Sequence, residues 1–262
     1  MSQTDHLKVT ILGSGTSQGV PVIGCKCKVC LSMDSRDKRL RSSILVSKGE
    51  MNIVVDTGPD FRQQMLKHNV DTLEAILFTH EHKDHVAGLD DVRAYNYIQK
   101  KDMDVFCTEE VEAALKREFY YAFQENKYPG VPNLNIRCIS KENKFKVKDL
   151  SIQPIEVMHY KMPVLGFKIG NFTYITDAKT VSESEKNKIK GTDILIVNAL
   201  REQHHISHFN LEEALTFIEE INPRVAYLTH ISHLFERHVE IEKKLPSNVF
   251  VAYDGLTLEF KE

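Results

Sequence analysis

The sequence predicts an α+β chain of two packed sheets with helices outside them, and three observations carry that prediction. Short apolar runs of strand length recur along the chain, amphipathic helical patterns separate some of them, and no tandem repeat, low-complexity tract or linker breaks the series. The 262 residues, 42% hydrophobic and 27% charged, suit one domain over 1–262 with a large core.

The elements follow in order. Val9–Leu12, Ile44–Val46, Ile53–Val55, Ala75–Phe78 and Val105–Cys107 are apolar, β-branched runs that read as strands. Further strands are expected at Ile152–Val157, Phe167–Ile169, Phe172–Thr176, Ile194–Val197, Val225–Leu228 and Val249–Ala252. Helical periodicity marks Phe61–His68, Asp91–Lys100, Glu109–Gln124, Leu211–Ile221 and Glu236–Lys244. Asn210 precedes the fourth as an N-cap, and Glu213 completes a capping box. Tyr128–Asn133, with two prolines and a glycine, is a loop. Arg36–Arg39 reads as a solvated charged face, and Cys107 and Cys138 as small buried strand residues.

Composition excludes several classes. A net charge of −3 and a pI near 6.5 leave no footprint for nucleic acid or an anionic membrane. No basic and apolar leader opens the chain and no uncharged run reaches membrane-spanning length, so a cytoplasmic location is expected. Five cysteines, an odd count, argue against a disulfide framework.

Chemistry concentrates after the strand at Ala75–Phe78. His80, His82, Asp84 and His85 place four ligand-type side chains within six residues, with donors that suit zinc, manganese and iron. The spacing turns His80 and His82 toward one ion, and Asp84 and His85 toward another. Such a site needs ligands from elsewhere, and His159, Asp177 and His230 each follow another apolar run. Cys25, Cys27 and Cys30 supply three thiolates to one structural zinc, which requires a fourth ligand. Lys26 and Lys28 are expected to lower the thiol pKa values. Gly13, Gly15 and Gly19 miss the dinucleotide spacing and read as a turn that lets backbone approach the site. His204, His205 and His208 precede a helix, and Arg41, Ser42 and Ser43 are candidates to face the site.

The motifs Gly13–Pro21, Gly24–Cys30, Asp56–Arg62, Thr79–His85 and Tyr174–Asp177, with His208 and Thr229–His233, resemble the metallo-β-lactamase superfamily. More narrowly, the chain resembles PhnP-type phosphodiesterases, over nearly its whole length and in the same order. That resemblance implies a four-layer αββα sandwich. It implies a first metal on His80, His82 and His159, a second on Asp84, His85 and His230, and Asp177 as a bridge. His233 becomes the fourth ligand of the structural zinc, with His238 as fallback, and His208 the histidine beside phosphate, with His205 second. Asp56, Arg41 and Ser42 fall to substrate or supporting contacts. A homodimer is implied by the resemblance alone.

Charge then selects substrates. Two divalent ions bring about four positive charges, and Asp84, Asp177 and a hydroxide remove about three, leaving roughly one. An anionic phosphodiester suits that remainder, with Asp84 as proton acceptor. The family activity is hydrolysis of a phosphoribosyl 1,2-cyclic phosphate, so a small, cyclic phosphodiester is the expected substrate. Three readings compete. A tRNA 3′-processing endoribonuclease of the RNase Z type would want a basic arm, which is not evident. A redox di-iron protein would carry Glu where His82 stands. A non-catalytic zinc-binding protein would bind metal without turnover.

Overall fold

The computed structural model describes residues 6–261. The first half of the chain builds strands β1 (His6–Gly13), β2 (Ser43–Lys48), β3 (Met51–Val55), β4 (Ala75–Leu77), β5 (Met103–Cys107) and β6 (Leu134–Cys138). The second half builds β7 (Phe145–Val147), β8 (Leu150–His159), β9 (Met162–Ile169), β10 (Phe172–Tyr174), β11 (Ile194–Asn198), β12 (Val225–Thr229) and β13 (Val249–Val251). A last strand, β14 (Thr257–Lys261), returns to the first sheet and pairs antiparallel with β1. The described residues thus form two seven-stranded sheets, ordered β14-β1-β2-β3-β4-β5-β6 and β13-β12-β11-β10-β9-β8-β7.

Alternation along the strands explains the layering. Ile44 and Val46, and Ile53 and Val55, enter the core between the sheets from one side, with Phe167, Phe172, Tyr174, Ile194 and Ile196 opposite. Their neighbours Leu45, Val54 and Ile76 turn outward onto helices α1 (Phe61–Lys67), α3 (Arg93–Gln99) and α4 (Glu109–Glu118). Leu195 and Val197 turn outward onto Phe217, Ile218 and Ile221 of α6 (Leu211–Ile221) and Ile241 of α7 (His238–Glu242). The result is the expected αββα sandwich. Between α1 and α3 sits the short α2 (Lys83–Val86), and before α6 comes α5 (Glu183–Ile189).

Strands β3 to β6 and β10 to β13 pair in parallel within each sheet, so their C-terminal ends share one edge. That edge receives Asp56, His80, Asp177 and His230, and β8 delivers His159 to it. The Asn210 capping box forms as expected, with Glu213 N–H donating to Asn210 Oδ1 at 2.9 Å and Asn210 N–H to Glu213 Oε2 at 2.9 Å.

Four expectations need correction. Arg36–Arg39 is a solvated face only in part: Lys38 is exposed and Arg36 half-buried, whereas Arg39 and Asp37 are buried, because Ser14 and the α7 N-terminus supply them with partners. Cys138 is exposed, since β6 is an edge strand. The helix expected to Gln124 ends at Glu118 and passes through Phe119 into a 3-10 turn at Tyr120–Ala122. The helix expected from Asp91 begins as a 3-10 turn, Leu89–Val92, before α3.

Candidate metal centre

The backbone itself is bent at the site. Asp56, Asp177 and His230 take left-handed φ values of 65°, 59° and 57° where their strands end, a conformation costing on the order of 1–3 kcal/mol each outside glycine. Neighbours hold them there. Asp56 N–H donates to Leu77 O at 2.9 Å, Asn198 clamps both the N–H and the carbonyl of Ala178, and Ile231 N–H donates to Ser14 O at 2.9 Å.

Side chains converge on this edge in three sets, whose candidate ligand atoms lie within 4.8 Å of one another: His80, His85 and Asp177; Asp84, His85 and His230; His159, Asp177 and His208. His85 Nε2 stands 3.2 Å from Asp84 Oδ2 and 3.3 Å from Asp177 Oδ2. Asp177 Oδ2 is 3.4 Å from His230 Nδ1, and Asp177 Oδ1 is 3.6 Å from His208 Nδ1. His82 is absent from these sets; its ring packs edge-on to His80 at 4.6 Å and to His159 at 5.2 Å.

Supporting contacts orient the rings. His85 Nδ1 lies 2.7 Å from Asp56 Oδ2, so Nδ1–H donates and Nε2 faces the cluster. Asp56 is itself fully buried, accepting from Thr79 N–H at 2.9 Å and Thr79 Oγ1 at 2.8 Å. It supports His85 and does not face substrate. His159 Nδ1 donates to Ser207 O at 2.9 Å and Asp177 O at 3.1 Å, which leaves its Nε2 free for a ligand. His230 is held by three hydroxyls, Thr16 Oγ1 at 3.1 Å from Nε2, and Ser42 Oγ at 3.1 Å and Thr176 Oγ1 at 3.4 Å from Nδ1. Arg41 turns to Asp60 at 3.0 Å and to Ser17 O, and Ser43 Oγ bonds the Val55 and Asp56 carbonyls. His205 sits outward, its ring 5.1 Å from that of His208.

The electrostatics call for a cation. Burial favours a neutral His85, but the carboxylates of Asp84, Asp56 and Asp177 outweigh it and raise its pKa well above the ordinary value. Burial likewise opposes ionisation of Asp84 and Asp177, yet both are held below the usual range, Asp84 by the charge of His85 and Asp177 by those of His230 and His85. Burial lowers His80 well below its ordinary value and His208 to about 3. His80 Nε2, His85 Nε2 and His208 Nδ1 are buried and make no hydrogen bond. The half-buried Asp84, the buried Asp177 and orphaned ring nitrogens on one edge, with Asp56 beneath them, are the donor set a divalent ion requires.

In a second set, Cys25, Cys27, Cys30 and His233, the candidate ligand atoms also lie within 4.8 Å of one another. His233 Nδ1 is 3.2 Å from Cys25 Sγ and 3.6 Å from Cys27 Sγ. Burial opposes ionisation of Cys27, but the Cys30 N–H and the His233 ring bring its thiol down to about 6, while burial pushes Cys30 up to about 11. The lysines are not the cause: Lys28 pairs with Glu236 and Glu240. His238 lies elsewhere, its Nδ1 3.3 Å from Arg39 Nη2 and its Nε2 3.2 Å from Glu242. Thr16, Thr79 and Thr176 lie inside the motifs read from the sequence but had no role there, and sequence reasoning missed Asn198 and Asp254. The one signal for them was polarity beside a strand end or a turn.

With this fold and this donor set the chain falls in a class of αββα proteins that carry a candidate metal site at one strand edge. Residues 51–231 match the family described as a beta-lactamase superfamily domain, and the chain belongs to that superfamily, in its PhnP-type branch. A crystal structure of a diphosphatase from the PhnP family superposes with a TM-score of 0.91 at 35% identity, covering 98% of each chain. Zn(2+)-bound PqqB from Methylobacterium extorquens shares the fold, with a TM-score of 0.78 at 23% identity over 96% of this chain and 99% of that one. A Porphyromonas gingivalis protein named octanoyltransferase is 39% identical over 255 residues, 95% of this chain and 51% of that protein. The chain therefore spans about half the length of that relative. No helix among the described residues is long and apolar enough to cross a membrane.

Proposed function

We propose that the protein is a binuclear metal-dependent phosphodiesterase acting on a small, cyclic phosphodiester. The observation that carries the reading is the shared position of Asp177 and His85 between adjoining ligand sets. The PhnP-family diphosphatase at 35% identity supports a phosphoester substrate. His80, His82 and His159 would hold one ion, Asp84, His85 and His230 the other, with Asp177 between them, and Cys25, Cys27, Cys30 and His233 a structural zinc. Zinc and manganese both suit the active-site donors. When bound, such ions supply Lewis acidity and lower the pKa of water to near neutrality.

The protein's own groups do the rest. Asp84, held ionised by His85, accepts a proton at its carboxylate. His208, kept neutral by burial, donates a ring N–H toward a phosphate oxygen or the leaving group. Asp56 and the Ser207 carbonyl keep His85 and His159 in the tautomer that presents Nε2.

Hydrolysis of a cyclic diester, a linear diester, a diphosphate-linked diester, a phosphomonoester, a lactam and a thioester, measured side by side, tests the proposal. The cyclic diester should turn over fastest, and His208→Ala should lower that rate about 10²-fold or more. A phosphomonoester or lactam as best substrate would sink the reading, and unchanged turnover in His208→Ala would remove its role. A second reading, a diphosphate-linked diester, is favoured by the name of the PhnP-family neighbour and is separated in the same assay.

A further inference from the structure

Asp254 and Arg39 belong to none of the ligand sets, yet both close on one hydroxyl. Arg39, 3% exposed, donates from Nη1 to Ser14 Oγ at 2.9 Å and to Ala252 O at 2.5 Å. Asp254 accepts from Ser14 N–H at 2.9 Å, Ser14 Oγ at 2.7 Å and Leu40 N–H at 2.7 Å. The cation and the carboxylate thus face each other across the Ser14 side chain.

Ser14 leads directly to His230. Its carbonyl accepts the N–H of Ile231, the residue after His230, at 2.9 Å, and Thr16 N–H returns to Ile231 O at 3.2 Å. Gly15 is pinned from the other side: its N–H donates to Leu40 O at 2.8 Å and its carbonyl accepts Ser42 N–H and Ser42 Oγ, each at 3.0 Å. Thr16 and Ser42 supply two of the three hydroxyls against the His230 ring, the third being Thr176 Oγ1, and Thr16 alone meets Nε2. His230 has a left-handed backbone, so its own strand does not fix where the ring lies.

Buried ionic groups are poor sources of stability, because apolar replacements of the same shape often do as well. Opposite charges that grip a loop beside a candidate ligand have a different use. We propose that Asp254, with Arg39, is a positioning residue for His230: it fixes the Ser14–Thr16 loop, which in turn fixes the ring through the Thr16 hydroxyl. The inference rests on His230 being an active-site metal ligand.

The test is a calorimetric Mn²⁺ titration of the full-length chain with its cysteine site loaded with zinc. It compares wild type, Thr16→Val, Asp254→Asn and the double variant, each with a thermal melt. Each single change should weaken one active-site equivalent about 10- to 100-fold, and the double should lose clearly less than the two losses combined, because both act on one ring through one loop. Thr16→Ser should restore affinity. Additive losses in the double, or a lowered melting temperature with wild-type affinity, would overturn the inference. If Asp254→Asn does not fold, Ser14→Ala takes its place in the cycle with both charges kept. His230→Ala separates the two readings. Retention of both equivalents there removes His230 as a ligand and the inference with it. Loss of one, beside wild-type affinity in Asp254→Asn, removes the positioning role alone.

Discussion

Asp56→Asn tests the support beneath the metal centre with almost no change of shape. The carboxylate accepts three hydrogen bonds in a fully buried position: Oδ1 takes Thr79 N–H, and Oδ2 takes Thr79 Oγ1 and His85 Nδ1–H. An amide has one acceptor oxygen. If that oxygen stays on the Oδ2 side, the NH₂ faces Thr79 N–H and one buried donor goes unpaired, at a cost of about 1–3 kcal/mol. If the amide flips, its NH₂ faces His85 Nδ1, and the ring must move its proton to Nε2, the atom turned toward the cluster. Either way about 2 kcal/mol is lost, a fall of roughly 4–8 °C in melting temperature for a chain of this size. The weakening of metal binding should be about 10- to 100-fold. Calorimetric titration with Zn²⁺ or Mn²⁺ and a melt of the same sample give both numbers. Wild-type affinity together with a lowered melting temperature would show that Asp56 is only a core polar residue, and the tautomer argument would fall.

Three further outcomes follow from the contacts. In Gly58→Ala the new Cβ would overlap the Asp84 carbonyl, so the metal loop must shift; we expect about 1–3 kcal/mol of destabilisation and a turnover loss larger than the melt alone explains, read from urea unfolding and kcat. Cys27 titrates near 6 and Cys30 near 11, so in chelator-treated protein iodoacetamide should label Cys27 at neutral pH and lose it as pH falls through about 6. Cys30 should lag until strongly alkaline pH, and mass spectrometry showing equal rates at pH 7 would contradict the assigned environments. Asn210→Ala removes the capping box of α6 and should cost about 1 kcal/mol, or roughly 2–4 °C, without altering metal affinity.

The sandwich was legible because parallel strands covered on both faces are continuous apolar runs; Ile194–Asn198 is buried at every position. Elements lacking such a run went unread. β14, Thr-Leu-Glu-Phe-Lys, buries Phe260 well and little else, and α5 buries only Glu185 and Ile189 among polar residues. The candidate ligands were visible because several imidazoles at successive strand ends are chemically unusual. What holds them was hidden for a different reason: Ser14 meets Asp254 across 240 residues, and Thr16 meets His230 across 214. Local patterns carry no sign of such partners. Arg39 shows the same limit, since a run of charges does not reveal which of them the fold will bury.

The candidate ligands are divided between the two sheets. His80 and His85 hang from the end of β4, while His159, Asp177 and His230 hang from β8, β10 and β12. An ion gripped by both groups is a rivet through the sandwich, joining segments that only late, long-range folding steps bring together. The sheets cannot slide apart without breaking coordination, so metal binding should slow unfolding as well as shift its equilibrium, with about 2.7 kcal/mol gained at a hundredfold excess over the dissociation constant. Starved of metal, the chain would keep its strands and lose its persistence, which makes metal supply a determinant of how long each molecule survives in the presence of proteases.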